Sequence, residues 1–242
     1  MFDYEKYSPH HDWHESVFEM ATEAGAILGI DIDDIHYSGF WSQGDGASFT
    51  GSYAYAKGAA KHIRAEYPSH TELHAIADTL QDLQRVNFYR LTATITQRGR
   101  YFHEMTMQAD VEDSADSYRD IGEDASDSLL EAMRDFARWI YATLEKEYEY
   151  ESAWQLANTW QELADEAAAE KQAARQLIRD MRASHRDGVP ASICDARRST
   201  VRRHLAAMAA ALEQCTEIAD NFAYRTEDRR QLGVAEFAAA NL

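Results

Sequence analysis

Two hydrophobic periods alternate along the first half of this chain. Trp13, Val17, Met20, Ala21, Ala24, Ile27 and Leu28 recur at helical spacing, which predicts an amphipathic helix over 11–29 that stops at Gly29. Asp12 with Glu15 reads as a capping box at its start. Period two then takes over. Ile35, Tyr37, Gly39 and Trp41 share one face of an extended strand, and Phe49, Gly51, Tyr53 and Tyr55 share one face of the next. Between them Asp45-Gly46 marks a turn, since glycine accepts positive φ at no steric cost. Helical spacing returns over 57–86, broken at Pro68, with Ser69-His70-Thr71-Glu72 as a capping box for the stripe Leu73, Ile76, Ala77, Leu80, Leu83. A second alternating pair occupies 88–97 and 100–111 around Arg98-Gly99-Arg100. After a polar loop over 112–125, a helix from Ser126 buries Leu129, Met133, Phe136, Ala137, Ile140 and Leu144.

From Ala153 the pattern becomes a 4-3 alternation. Trp160, Ala164, Ala167, Ala174, Ile178 and Met181 lie on one run, and Val201, Leu205, Met208, Leu212 and Cys215 on another, separated by Gly188-Val189-Pro190. Sustained 4-3 spacing is a coiled-coil seam, so an antiparallel helical hairpin is expected. Alanine seams bury little area alone. Self-association, as a dimer through 153–222, is therefore expected, with Trp160, Ala164, Ala167, Ala174, Ile178, Met181, Leu205, Met208 and Leu212 as its residues. The fold class that follows is α+β: two hairpins forming a four-stranded antiparallel sheet packed with helices, plus the C-terminal helical hairpin. The domains read as 1–151, acidic α+β, and 152–242, a helical extension.

Charge sharpens that division. The chain of 242 residues has a formal net charge of −18. Nearly all of it falls in residues 1–150, whereas 175–204 is rich in arginine, from Arg175 to Arg203. A strongly acidic body disfavours non-specific nucleic-acid or anionic-membrane binding, so nucleic acid stays open as a partner but is not favoured. No apolar run nears the ~20 residues of a membrane span. The first residues carry no basic-then-apolar leader, and the two cysteines, Cys194 and Cys215, form no disulfide framework, so a cytoplasmic location is expected.

No motif identifies a reaction. There is no GxSxG, P-loop, GxGxxG after a strand, or HExxH. His10, His11 and His14, and the pair His70 and His74, lack the further ligands of a metal site and read as polar surface. No catalytic residue, metal or cofactor is assigned. If the sheet carries an enzyme site, His36, Asp45 and His103 are its best members. The stretch that sequence reasoning singles out is the first hairpin's tip, Phe40, Trp41, Ser42, Gln43, Gly44, Asp45 and Gly46. Gln43 and Asp45 serve no core, and a projecting tip beside an aromatic is a recognition surface.

Four segments carry a resemblance: IHYSGFWSQGDGASFTG at 35–51, Tyr55 to Ala59, Arg98 to His103, and Arg138-Trp139 with EKEYEY at 145–150. Over about residues 10–151 the chain resembles an uncharacterised family of phages, prophages and proteobacteria. Its members are sometimes labelled the antitoxin of a toxin–antitoxin stability system. The resemblance implies a mobile-element setting, in which small acidic proteins bind and block host machinery. The function expected is non-enzymatic protein–protein binding to a host or phage protein, in the manner of an inhibitor of CRISPR or restriction defence. An antitoxin or transcription regulator using the arginine-rich helices is the alternative, and an enzyme on the sheet is the second.

Overall fold

In the computed structural model, residues 12–40, 42–115, 121–186 and 191–227 are described, without the side chains of 184–194 and 217–227. Helix α1 (Glu15–Leu28) ends as its glycine dictates. Gly29 closes it at φ 87°, and a Cβ there would lie 2.0 Å from the Ala54 carbonyl oxygen. The chain turns at once into strand β1 (Ile30–Tyr37), followed by β2 (Ala47–Ala54). Helices α2 (Ala59–Glu66) and α3 (Thr71–Val86) come next, then β3 (Leu91–Gln97) and β4 (Met107–Asp113). The strands form one antiparallel meander in the order β1-β2-β3-β4. The fold is α+β, as the two periods require.

The sheet has two unlike faces. Ile30, Ile35, Phe49, Tyr53, Ala93, Ile95 and Met107 point inward and share one buried cluster with α1, α3 and the helix that follows β4, from Leu129 to Leu144. Phe49 meets Phe136 edge-on with ring centroids 5.6 Å apart. The opposite face is polar: across all four strands one row reads Asp31, Ser52, Thr94, Asp110. All four are exposed. An open face of this kind is ordinary for an antiparallel sheet.

Several boundaries differ from the sequence expectation. Strand β1 begins five residues before Ile35, where a bulge between Ile32 and Asp34 breaks the alternation, and it ends at Tyr37, just before the Ser38–Gly46 bonds close the tip. The β3–β4 connection is longer than Arg98 to Arg100: residues 98–106 are loop, including a 3-10 turn over Glu104–Thr106. The helix starts lie one or two residues past the expected Asp12 and Ser69. The N-caps are His14 and His70, and neither gives a side-chain cap bond. The α3–β3 turn puts Phe88 and Tyr89 at φ 58° and 60°, a left-handed region that disfavours both residue types. Buried Gln84 holds this turn. Its amide donates to the Leu91 carbonyl at 2.7 Å and to the Tyr53 hydroxyl at 3.2 Å, and its oxygen accepts from the Leu91 N–H.

Helix α4 (Glu123–Arg186) starts before Ser126 and runs past Ala153 without a break. Helix α5 (Ala191–Glu227) follows. The chain divides into two compact units between Glu149 and Tyr150. In the second unit the helices are antiparallel: Glu170 pairs with His204, and further along the Cys215 thiol lies 3.9 Å from the Trp160 carbonyl. The inter-helix line on α5 runs through His204, Ala211 and Cys215, so Leu205 and Leu212 lie beside it, 43% and 47% exposed. Buried Ala167 and Ala174 on α4 line the same hairpin. The expected hairpin is present, with its inner seam one residue away from the leucines. The interrupting Gly188-Val189-Pro190, like His10 and His11, lies outside the described residues. Among the described residues, no helix is long and apolar enough to cross a membrane.

Candidate functional site: the loop-bearing end of the sheet

The tip of the first hairpin is built by short local bonds. Ser38 N–H donates to the Gly46 carbonyl at 3.1 Å, and Gly46 N–H returns to Ser38 Oγ at 3.3 Å. One step out, Asp45 Oδ2 accepts from the Ser42 N–H at 2.7 Å, and Asp45 N–H donates to the Ser42 carbonyl at 3.1 Å. Asp45 is therefore a turn-forming carboxylate, a role that Asp favours by its short acceptor side chain. Ser42, Gln43 and Gly44 are left exposed at the apex. Phe40 turns inward, stacked on Tyr37 at 5.9 Å and close to Tyr141 and Tyr148 at 5.4 and 5.1 Å. Trp41 lies outside the described residues.

The second loop packs against the first. Ser38 Oγ donates to the Phe102 carbonyl at 3.4 Å. A Cβ on Gly46 would come within 2.9 Å of the His103 ring, so this glycine is what lets the loops touch. The 98–106 loop is itself pinned. Gln97 Nε2 donates to the Tyr101 carbonyl at 2.8 Å, and Thr106 Oγ1 contacts the carbonyls of Tyr101 and His103 at 3.0 and 2.7 Å. On this braced loop Tyr101 and Met105 are 69% and 60% exposed.

Helix α4 closes the third side. Tyr141 donates its hydroxyl to the Gly39 carbonyl at 3.3 Å. Burial, then the nearby charges of Asp45, Glu145 and Glu104, push its pKa up, so the hydroxyl keeps its proton at neutral pH. Arg138 reaches Glu104 at 3.2 Å, Glu131 at 2.8 Å and Asp135 at 2.6 Å. Its hydrogen bonds, Glu131's first, hold the guanidinium pKa above its usual range, and the Glu131 carboxyl is lowered in return. The other oxygen of Glu104 lies 2.9 Å from His103 Nδ1, which is also 3.1 Å from the Met105 N–H. One ring nitrogen cannot donate to the carboxylate and accept from the amide at once, so Nδ1 serves one of the two partners at a time.

Asp45 and His103 thus come to one end of the sheet, as sequence reasoning grouped them. His36 stands on the outer face, its ring 4.6 Å from Phe102 and its Nε2 3.2 Å from Asp34. Glu104, Arg138 and Tyr141 were missed as site members. The segments 98–103 and 138–139 had been marked by the resemblance, but no spacing in the chain shows that they meet the tip. Among the described residues, no group of three or more His, Cys, Asp or Glu side chains is placed to hold a metal ion. Near Arg138 a cleft of about 710 Å³ opens between the start of α3 and α4, lined among others by His70, Glu72, Trp139 and Lys146. Trp139 Nε1–H donates to His70 Nδ1 at 3.1 Å, which makes His70 the tautomer with its proton on Nε2.

The residues assigned to self-association divide by exposure. Ala167 and Ala174 are buried within the hairpin, and Trp160, Ala164, Ile178, Met181 and Met208 are half-buried. Leu205 and Leu212 are exposed.

No curated protein and no solved structure matches the chain. A family model described as a domain of unknown function, DUF8835, matches residues 13–153. That span takes in every element from α1 to β4 and the part of α4 that bears Arg138, Tyr141 and Tyr148, and over it the chain belongs to the DUF8835 family.

Proposed function

We propose that the protein acts by binding another protein through the loop-bearing end of its sheet. The observation that carries this reading is the pair Tyr101 and Met105, exposed on a loop that three side-chain bonds and a neighbouring tip hold in place. Large side chains presented on a preorganised backbone lose little entropy when a partner buries them, which is how binding hot spots arise. The apex Ser42-Gln43-Gly44 extends the same surface. The partner is a host or phage protein, and the action is inhibition of a host defence system of the CRISPR or restriction kind. Self-association through 153–222 belongs to the same reading. Exposed Leu205 and Leu212 are its outward contacts, and the alanine line is its internal seam.

A photo-crosslinking amino acid at Gln43, introduced in bacterial hosts with and without defence systems, tests the surface. A discrete protein adduct is expected. The Tyr101→Ala/Met105→Ala pair should weaken it by roughly tenfold or more, the usual effect of removing interface anchors. The reading falls if no host gives an adduct, or if the adduct ignores the double substitution.

A further inference from the structure

Helix α5 carries a second line beside its inner seam. Leu205 and Leu212 stand exposed along it, with Val201 and Met208 half-buried on the seam side. At about 100° per residue, His204, Ala211 and Cys215 lie roughly 80–120° to one side of the leucine line, and Arg202 and Glu213 roughly 60–80° to the other. Arg202 stands at the Leu205 end and Glu213 at the Leu212 end, with small, exposed Ala209 between them. Both charged residues are exposed, and among the described residues neither side chain makes an ion pair or hydrogen bond. The whole hairpin is polarised in the same sense. Residues 151–170 and 205–223 hold eight Asp or Glu and no Lys or Arg, whereas 171–204 hold nine Lys or Arg against three Asp. Because Glu170 is level with His204 and Trp160 with Cys215, the cations gather toward the α4–α5 connection and the acids toward the other end.

We infer that α5 packs antiparallel against α5 of a second copy, with Leu205 of each copy on Leu212 of the other and Arg202 of each paired with Glu213 of the other. The inference rests on the self-association through 153–222 proposed above, and gives it a direction and a register. In an antiparallel helix pair, positions on the same side of the two apolar lines face each other across the contact. Arg202 and Glu213 therefore meet, and two-fold symmetry makes the pair twice. Ala209 falls near the axis, where a small side chain lets the helices approach. The reverse choice is opposed by charge. A parallel pair would set Arg202 level with the same basic stretch of the second copy and lay like ends of the two hairpins together. A nucleic acid would engage the arginines but leave Glu213 and the leucines without a role. One helix pair is small for a stable interface, so the dimer is reversible.

Sedimentation equilibrium of the full chain, from micromolar to millimolar protein, tests this with charge reversals. Arg202→Glu and Glu213→Arg each set like charges face to face twice per dimer, so each weakens dimerisation about tenfold. The double variant restores opposite charges and returns to within about threefold of the wild type, a rescue that only the crossed pairing predicts. Both positions are exposed and off the inner seam, so the melting temperature of a monomeric sample should not move. Leu212→Gln weakens association at least about tenfold by removing the apolar contact. A wild type that stays monomeric throughout overturns the inference together with the self-association it rests on. A dimer that Leu212→Gln dissolves but the double reversal does not rescue overturns the antiparallel register alone. A dimer that disappears on nuclease treatment also overturns it, and assigns the arginines to nucleic acid.

Discussion

Gln84 shows how much one buried polar side chain can hold. It is fully buried, and its amide satisfies both the N–H and the carbonyl of Leu91 and reaches the Tyr53 hydroxyl. It thereby fixes the start of β3 while two strained residues lie between it and the strand. Each left-handed residue costs on the order of 1–3 kcal/mol, and the clamp offsets part of that. Gln84→Ala leaves the Leu91 groups buried without partners and should destabilise the protein by about 1–3 kcal/mol, read from chemical denaturation; a change near zero would show that the turn holds itself. Some of this was legible. Gln84 continues the stripe Leu73, Ile76, Ala77, Leu80 by one further step of four, so its place on the buried face was in the pattern. Its polar character masked it. The hairpin tip was legible too, through Asp45-Gly46, whereas His103, Glu104 and Arg138 reach the tip only by folding. They lie 58 to 93 residues from Asp45 in sequence, too far for any local pattern to link them.

At the scale of elements, period and propensity worked where the chain is regular and failed where it is not. The inward set of β2 and β3 follows strict alternation and was readable residue by residue. β1 was readable only from Ile35, because Asp31, Asp33 and Asp34 are poor strand formers and the bulge shifts the phase. The helical hairpin shows a subtler miss. A 4-3 pattern on an alanine-rich helix is satisfied by more than one line, and the contacts keep the expected Cys215 but join it to Ala211 and His204 in place of Leu212 and Leu205. On that line Cys215 is a packing residue, as its place on the expected seam implied. Burial pushes its thiol pKa up, which lowers the thiolate fraction at neutral pH. In a Cys194→Ser background, Cys215 should react with a disulfide reagent many-fold more slowly than a free thiol, and reach the free rate once denaturant opens the hairpin. Immediate reaction in the native protein would mean that α4 and α5 do not seal this line.

For the whole molecule, the sharpest asymmetry is between its two units. The large buried cluster lies wholly between Val17 and Leu144, and so do the four strands and the loop-bearing end. The hairpin's buried residues, from Ala167 to Cys215, form no part of it. Folding of the first unit should then owe nothing to the second, although one helix runs through both. A domain of about 150 residues buries roughly 70% of its unfolded surface, enough to stand alone. A protein ending at residue 151 should keep its near-ultraviolet circular dichroism and a cooperative melt, because every aromatic contact around Phe40 and Phe136 survives. It should also lose any oligomer that depends on 153–222. Loss of cooperativity would show that the long helix is needed to hold its own first turns against the sheet. An oligomer of unchanged stoichiometry would remove the hairpin from self-association. A folded, smaller assembly would separate the two roles, with recognition in the sheet unit and assembly in the helices.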